Sequence, residues 1–277
     1  MHRKTCSSIV SPARSNSMTT EFGAAAEDYA KFRAGFPDSL FDRLALLGIG
    51  VSRDIVVDLG TGTGSLARGF ALRGCEVTGI DPDERLLRQA RQLDGSAQVS
   101  IDYKIGRAEA IPLPDNFADT VSAGQCWHWF DGPTAAAEIS RIIKPRGRMV
   151  VAHFDWLPLP GNVVEATERL ILEHNPKWHL AGGNGFHLES LPHLQAAGFL
   201  EFETFSYDMD VAYSAEAWRG RIRASAGIGA SLPPAKVKAF DGALAERLAK
   251  TFPVEPLQVP HRVFALVGMS DTNGIPG

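Results

Sequence analysis

The sequence predicts an α/β fold on a predominantly parallel sheet, and three observations carry that prediction. Between residues 55 and 154, short apolar runs alternate with segments of helical periodicity. A glycine turn at 60–64 joins the first run to the first of these helices. An acid, Asp81, closes the second run. Strands separated by helices of this length pair in parallel through right-handed crossovers. Runs as apolar as Ile55-Val56-Val57 belong to strands covered on both faces, so helices are expected on both sides of the sheet.

The elements follow in order. Residues 21–33 place Phe22, Ala26, Tyr29, Ala30 and Arg33 along one helical face, and Pro37 opens a second helix that ends at Gly48. Strands are expected at 55–59, 76–80, 99–105, 119–123 and 148–154, with helices at 65–73, 83–93 and 133–143 between them. Pro158 and Pro160 then break the rhythm. Beyond them come helices at 162–174 and 188–197 and an alternating strand at 200–208. Two helical segments, 215–225 and 234–252, precede a last strand at 259–267. That makes seven strands, the last expected as an antiparallel edge strand, with a helical insertion in the C-terminal third.

The bulk properties narrow the function. A chain of 277 residues with 44% hydrophobic and 22% charged side chains suits one large globular domain. A net charge of -4 gives no electrostatic footprint for a phosphate backbone, so nucleic acid is not an expected partner. No apolar run reaches bilayer length, so no membrane partner is expected. Cys6, Cys75 and Cys126 are far apart and odd in number, which fits a reducing cytoplasm and neither a disulfide framework nor a zinc cluster. Residues 1–18 read as a disordered Ser/Arg-rich extension, 19–270 as one domain and 271–277 as a tail. Within the domain, 19–155 form a cofactor-binding core with its lid. Residues 156–257 carry substrate-recognition elements with one core strand, and 258–270 the final strand.

The chemistry centres on Asp58-Leu59-Gly60-Thr61-Gly62-Thr63-Gly64. Glycines let the backbone turn tightly and approach a ligand, and the following helix offers free amides. Asp81, twenty-one residues after Gly60, stands where a carboxylate accepts ribose hydroxyls. The spacing is G-x-G-x-G rather than the G-x-G-x-x-G of a dinucleotide site. Asp58 before the first glycine would repel a pyrophosphate and attract the amino group of a methionine moiety.

The D-L-G-T-G-T-G run, the G-I-D-P run ending at Pro82, and A-E-x-I-P-L-P-D at 108–115 together resemble the class I S-adenosylmethionine-dependent methyltransferases. The resemblance covers about residues 21–155. It implies a Rossmann-like fold with S-adenosyl-L-methionine as cofactor and S-adenosyl-L-homocysteine as product. Asp58, Gly60, Thr61, Gly62 and Gly64 would then serve the methionine end, and Asp81 and Pro82 the ribose. Arg107, Ala108 and Glu109 would flank the adenine, with backbone contact from Ala108.

Gln125-Cys126-Trp127-His128-Trp129-Phe130-Asp131 follows the fourth strand, and ligands of parallel sheets sit at the carboxyl ends of strands. Its Q-x-x-H-W-F-D run resembles a subgroup that includes trans-aconitate methyltransferase-like proteins. Gln125 is expected at the cofactor, and Trp127 and Trp129 as substrate lining or core packing. His128 is the candidate catalytic proton acceptor, or a loop tether. Tyr29 to Pro37 is similar to the Y-x-x-x-R-P-x-Y-P lid of the same subgroup, with Ala34 in place of the usual proline. Tyr29 and Arg33 would reach the cofactor, Arg33 pairing with a methionine or substrate carboxylate or remaining a solvated surface charge.

His153 and Trp156 end the fifth strand and face the same crevice; with His179 and Arg219 they complete the expected substrate contacts. His174, His179, His187 and His193 match no compact ligand spacing, so no metal is expected. The expected activity is methyl transfer to O, N or C of a small molecule, a secondary metabolite or carboxylate, by a monomer or homodimer. A cofactor-binding sensor or cyclase-like scaffold, and a nicotinamide-dependent oxidoreductase, are the alternatives.

Overall fold

The computed structural model describes residues 34–271. The expected helix at 21–33, with Tyr29 and Arg33, lies outside them, as does the expected N-terminal extension. The order of elements is α1 (Asp38–Leu46), β1 (Ile55–Leu59), α2 (Ser65–Ala71), β2 (Glu76–Asp81), α3 (Glu84–Ala97), β3 (Asp102–Ile105) and β4 (Ala118–Gly124). A 3-10 turn at Trp127–Trp129 follows. Then come α4 (Gly132–Ile142), β5 (Ile143–Trp156), α5 (Val163–His174), α6 (Leu191–Ala196), β6 (Phe199–Tyr213), α7 (Ala215–Arg223), α8 (Pro234–Thr251) and β7 (Leu257–Ser270).

One seven-stranded sheet results, ordered β3-β2-β1-β4-β5-β7-β6. The first five strands are mutually parallel, and β7 is antiparallel to both neighbours. The expected antiparallel strand therefore exists, one place in from the edge: β6 pairs along its outer side. β6 and β7 are longer than their apolar runs suggested, because outer positions of β6 stay polar without breaking the ladder.

Helices cover both faces. Val57, Leu59, Val121 and Val151 pack against Ala135, Ile139 and Ile142 of α4. Val56, Val77, Val150 and Ala152 pack against Leu40 and Phe41 of α1 and Ala67 and Phe70 of α2. Side-chain caps start several helices where the sequence supplies them. Asp83 accepts from the Arg85 amide, Asp131 from Thr134, Asn162 from Glu165 and Ser214 from Ala217.

A third cluster joins α5, α7 and α8 into a cap through Val164, Ile171, Trp218, Ile222, Phe240 and Leu244. Pairing of Trp156 with His261, and of Tyr213 with Leu257, puts this cap at the end of the sheet where the parallel strands finish. Trp218 is its keystone: fully buried, with its ring edge-on to Trp156 and Tyr213 and its Nε1 donating to the Thr167 hydroxyl at 3.0 Å. Replacing it with alanine leaves a cavity and removes the bond that the Thr167 hydroxyl accepts, while that hydroxyl keeps its bond to the Val163 carbonyl at 2.7 Å, and should cost about 3–5 kcal/mol in urea unfolding. A loss below about 1 kcal/mol would mean the cap does not fold as one unit with the sheet.

Candidate active site

The glycine turn is held from below and open from above. Gly60, Gly62 and Gly64 all have positive φ (59°, 57° and 77°), the conformation only glycine adopts freely. A Cβ at Gly60 would meet Cys126 at 2.9 Å, and one at Gly64 would drive into the Tyr103 hydroxyl at 2.3 Å. At Gly62 the nearest atom is the Gly60 carbonyl at 4.0 Å, so the middle of the turn presents open backbone.

Beneath it lies Asp58, 1% exposed, accepting from the Thr61 hydroxyl at 2.7 Å and the Ser122 hydroxyl at 2.8 Å. Burial, only partly offset by these two bonds, pushes its carboxyl up to about 6. Asp58 thus ties the turn to β1 and β4, a bracing role that the spacing alone did not reveal. Ser122 is a supporting residue that sequence reasoning missed; small polar residues on a central strand are the signal that was there.

Asp81 ends β2 and is also buried. Its Oδ2 accepts from the Gly62 amide at 2.9 Å and its Oδ1 from the Asp83 amide at 2.8 Å. Burial raises its pKa against those two amide bonds. Each oxygen keeps a second lone pair, so the carboxylate can both fix the loop and accept further hydroxyls. Pro82 is exposed beside it. Arg107 is exposed and pairs with Glu109 at 3.4 Å, while Ala108 is buried. The other oxygen of Glu109 accepts from the Asp131 amide at 2.9 Å, linking this segment to the turn after β4.

That turn separates residues the sequence presents as equivalent. Trp127 faces inward, 2% exposed, stacked on His193 within the core against α4 and α6. Its expected role as substrate lining is therefore corrected: it is core packing. Trp129 is 50% exposed, with the exposed His128 ring 4.7 Å away, and both stand on the rim. Gln125, in a left-handed conformation with φ 55°, donates through Nε2 to the Phe154 carbonyl at 2.7 Å and the Asp155 carboxylate at 2.9 Å. It thereby couples the ends of β4 and β5.

At the end of β5 the structure builds a cluster from residues far apart in sequence. His187 lies face to face with the buried His153 at 3.5 Å and 7°. Its Nε2 meets Asp155 Oδ2 at 2.6 Å and its Nδ1 meets Glu189 at 3.2 Å. Burial opposes the charge on His187, but the two carboxylates outweigh it and raise its pKa. Burial likewise opposes ionisation of Asp155, yet the His187 bond and the nearby histidines bring it down to about 2. The potential ligand atoms of His153, Asp155 and His187 lie within 4.8 Å of one another. Face-to-face imidazoles, however, aim their lone pairs in parallel rather than at one point, and a hydrogen-bonded ion pair already occupies Asp155. The geometry therefore supports a charged dyad that pins the 185–189 segment.

The Asp155 contribution is complete above about 3.9 and fades as the pH falls towards 2. The His187 contribution is complete below about 6.5 and is lost as the pH rises through its raised folded value. Relative to its base-catalysed intrinsic rate, amide exchange across 185–189 should therefore be slowest between about pH 4 and 6.5 and rise above it. His187→Gln should abolish that rise, whereas identical profiles for both proteins would refute the pinning role.

Other expected contacts divide. Trp156 donates through Nε1 to the buried Glu168 at 2.8 Å and stands at the mouth of the cap. His179 is exposed on the cap loop, next to the buried Trp178. Arg219 requires correction. Its Nε donates to Asp241 at 3.1 Å, one terminal nitrogen to Glu216 at 2.9 Å and the other to Asp241 as well. With Arg223, which bonds Asp241 at 2.8 Å, it clamps α7 to α8. Its donors are spent on the fold rather than on substrate.

An open glycine turn, a buried acid at the end of the next strand and an exposed His–Trp pair after β4 thus share one end of the sheet. Residues 57–151 match the family model described as a methyltransferase domain. This segment is similar to the methyltransferase domain family. An uncharacterized methyltransferase of Mycobacterium bovis is 35% identical over 132 residues, 48% of this chain and 51% of that protein. The demethylmenaquinone methyltransferase of Deinococcus radiodurans is 34% identical over 122 residues, 43% of this chain and 50% of its own. The chain thus spans about half the length of these curated relatives.

Solved structures share the fold of the methyltransferase domain and its surroundings. A phosphoethanolamine N-methyltransferase of Haemonchus contortus, solved with phosphomonomethylethanolamine and S-adenosylhomocysteine, aligns with TM-score 0.53 at 18% identity. The match covers 91% of this chain and 58% of that one. The [4+2]-cyclase SpnF aligns with TM-score 0.52 at 22% identity, covering 87% and 85%. No helix among the described residues is long and apolar enough to cross a membrane.

Proposed function

We propose that the protein is an S-adenosylmethionine-dependent methyltransferase acting on O, N or C of a small molecule. The single observation that carries this reading is the glycine turn with Asp81 bonded to its central amide, an open backbone cradle beside a carboxylate with lone pairs to spare. The methyltransferase family match over the same residues supports it. Gly60, Thr61, Gly62 and Gly64 would hold the methionine end, braced from below by Asp58. Asp81 and Pro82 would hold the ribose, and Arg107, Ala108 and Glu109 would flank the adenine. Gln125 would fix the wall between cofactor and acceptor, with Tyr29 and Arg33 covering it.

When bound, the cofactor supplies a methyl group already activated as a sulfonium. The protein then has to align the acceptor behind that methyl and exclude water. Exposed Trp129 and the Trp156 ring would offer aromatic surface to the acceptor. His128, which is exposed, would take a proton from an acceptor hydroxyl or amine. If the acceptor is deprotonated or carbanionic, no base is needed.

The test is incubation with methyl-labelled S-adenosylmethionine and a fractionated small-molecule extract. The expected result is stoichiometric formation of S-adenosylhomocysteine with label in a small product. Tight cofactor binding with no homocysteine product from any fraction would favour a binding protein or cyclase-like scaffold. His128→Ala should lower turnover about 10²–10⁴-fold, with little change in cofactor affinity, if His128 is the base.

A further inference from the structure

The α7 helix carries three arginines, and the structure uses them differently. Arg219 and Arg223 share a face and are consumed by Asp241 and Glu216. Arg221 points elsewhere. Among the described residues it makes no ion pair and no hydrogen bond; its guanidinium lies over the Trp156 ring, 4.8 Å from the centroid. Trp156 is itself fixed by Glu168 through Nε1 and by the edge of Trp218. The ring is thus a rigid platform, and cation–π contact with it uses none of the five guanidinium N–H donors.

The platform stands at the carboxyl end of β5, under the cap, on the side of the sheet that carries the glycine turn. The acid next to Trp156 is Asp155, already bonded by His187 and Gln125. His261, across from Trp156 in the sheet, bonds the Val259 carbonyl and is held neutral, with burial pulling it down to about 4. Asp155 favours the Arg221 charge through space without bonding it, and neutral His261 offers it no charge. A half-buried guanidinium with unspent donors is costly unless an anion completes it.

We propose that Arg221, laid on Trp156, is the anchor for an anionic group of the methyl acceptor, a carboxylate or a phosphate bound through the guanidinium fork. This rests on the methyltransferase reading above and gives its acceptor a charge. The flat guanidinium binds such groups through two parallel N–H donors, which a lysine ammonium does not reproduce.

The test titrates benzoate, phenyl phosphate and the neutral isostere benzamide by calorimetry, with and without saturating S-adenosylhomocysteine. Wild type should bind at least one anion tenfold or more tighter than benzamide, a difference of about 1.4 kcal/mol. Benzoate binding tighter assigns the site to carboxylates, and phenyl phosphate binding tighter assigns it to phosphates. Arg221→Gln should erase the preference, and Arg221→Lys should retain only part of it. Arg219→Gln should lower stability yet leave the anion preference in place. S-adenosylhomocysteine affinity, unchanged in both Arg221 variants, shows that they fold. Equal binding of anion and amide, no anion binding, or an undiminished preference in Arg221→Gln would overturn the anchor. Failure of wild type to bind S-adenosylhomocysteine would instead sink the methyltransferase reading, with the anion titration still readable without it.

Discussion

Asp81→Ala should weaken S-adenosylhomocysteine binding by at least tenfold, about 1.4 kcal/mol, in calorimetric titration. Two losses combine. The carboxylate that would accept ribose hydroxyls disappears, and hydrogen bonds to an ionised acceptor are worth about 1.5–3 kcal/mol. The amides of Gly62 and Asp83 also lose their partner at the same time, so the loop is no longer set. Asp81→Asn separates the two effects. An amide oxygen can still receive the Gly62 amide, but the NH2 group then faces the Asp83 amide, so the loop keeps one of its two anchors. That NH2 group also presents donors where a ribose hydroxyl needs an acceptor. The asparagine variant should therefore lose less stability than the alanine variant and still bind the ligand several-fold more weakly. Wild-type affinity in both variants would remove Asp81 from the binding site.

Asp58→Ala should be the most damaging single change at the turn, costing about 2–4 kcal/mol in denaturant unfolding. It strands the buried Thr61 and Ser122 hydroxyls and leaves a void between β1 and β4. Wild-type stability should also carry a pH signature from this residue. Its folded pKa, about 6, lies above the unfolded value of about 3.9. Its contribution is therefore complete below about pH 3.9 and is lost as the pH rises through 6, because the folded state must then bury a charge. Asp58→Asn should flatten stability across this window, although the amide nitrogen cannot accept from a hydroxyl as the lost oxygen did. An unchanged pH profile in Asp58→Asn would show that the Asp58 carboxyl titrates alike in the folded and unfolded states.

Local patterns made the N-terminal half of the described fold legible. The apolar run at 55–59 became β1 at the same bounds, and the alternation through residue 154 became five parallel strands. Glycine spacing and the acid at Asp81 are short-range signals, so the cradle could be read before the fold. Pairings across long sequence distances could not. Arg219, Arg221 and Arg223 look alike on a helix until Asp241, eighteen residues beyond Arg223, claims two of them. Trp127 and Trp129 look alike until a 3-10 turn sends one into the core and the other to the rim. His187 meets Asp155 across 32 residues that hold α5 and then an irregular loop, where no periodicity announces a partner. The position of β7 inside β6 was equally invisible, since both strands carry enough apolar residues for an edge or an interior place.

The central claim is that the glycine turn and Asp81 hold an adenosyl amino acid. Its most direct test is a parallel titration of the wild-type protein with S-adenosylmethionine, S-adenosylhomocysteine and NADH. Micromolar binding of the first two, with NADH at least a hundredfold weaker (about 2.7 kcal/mol), is the predicted result. Binding of NADH with no response to either adenosyl ligand would contradict it and turn the same cradle into a dinucleotide site.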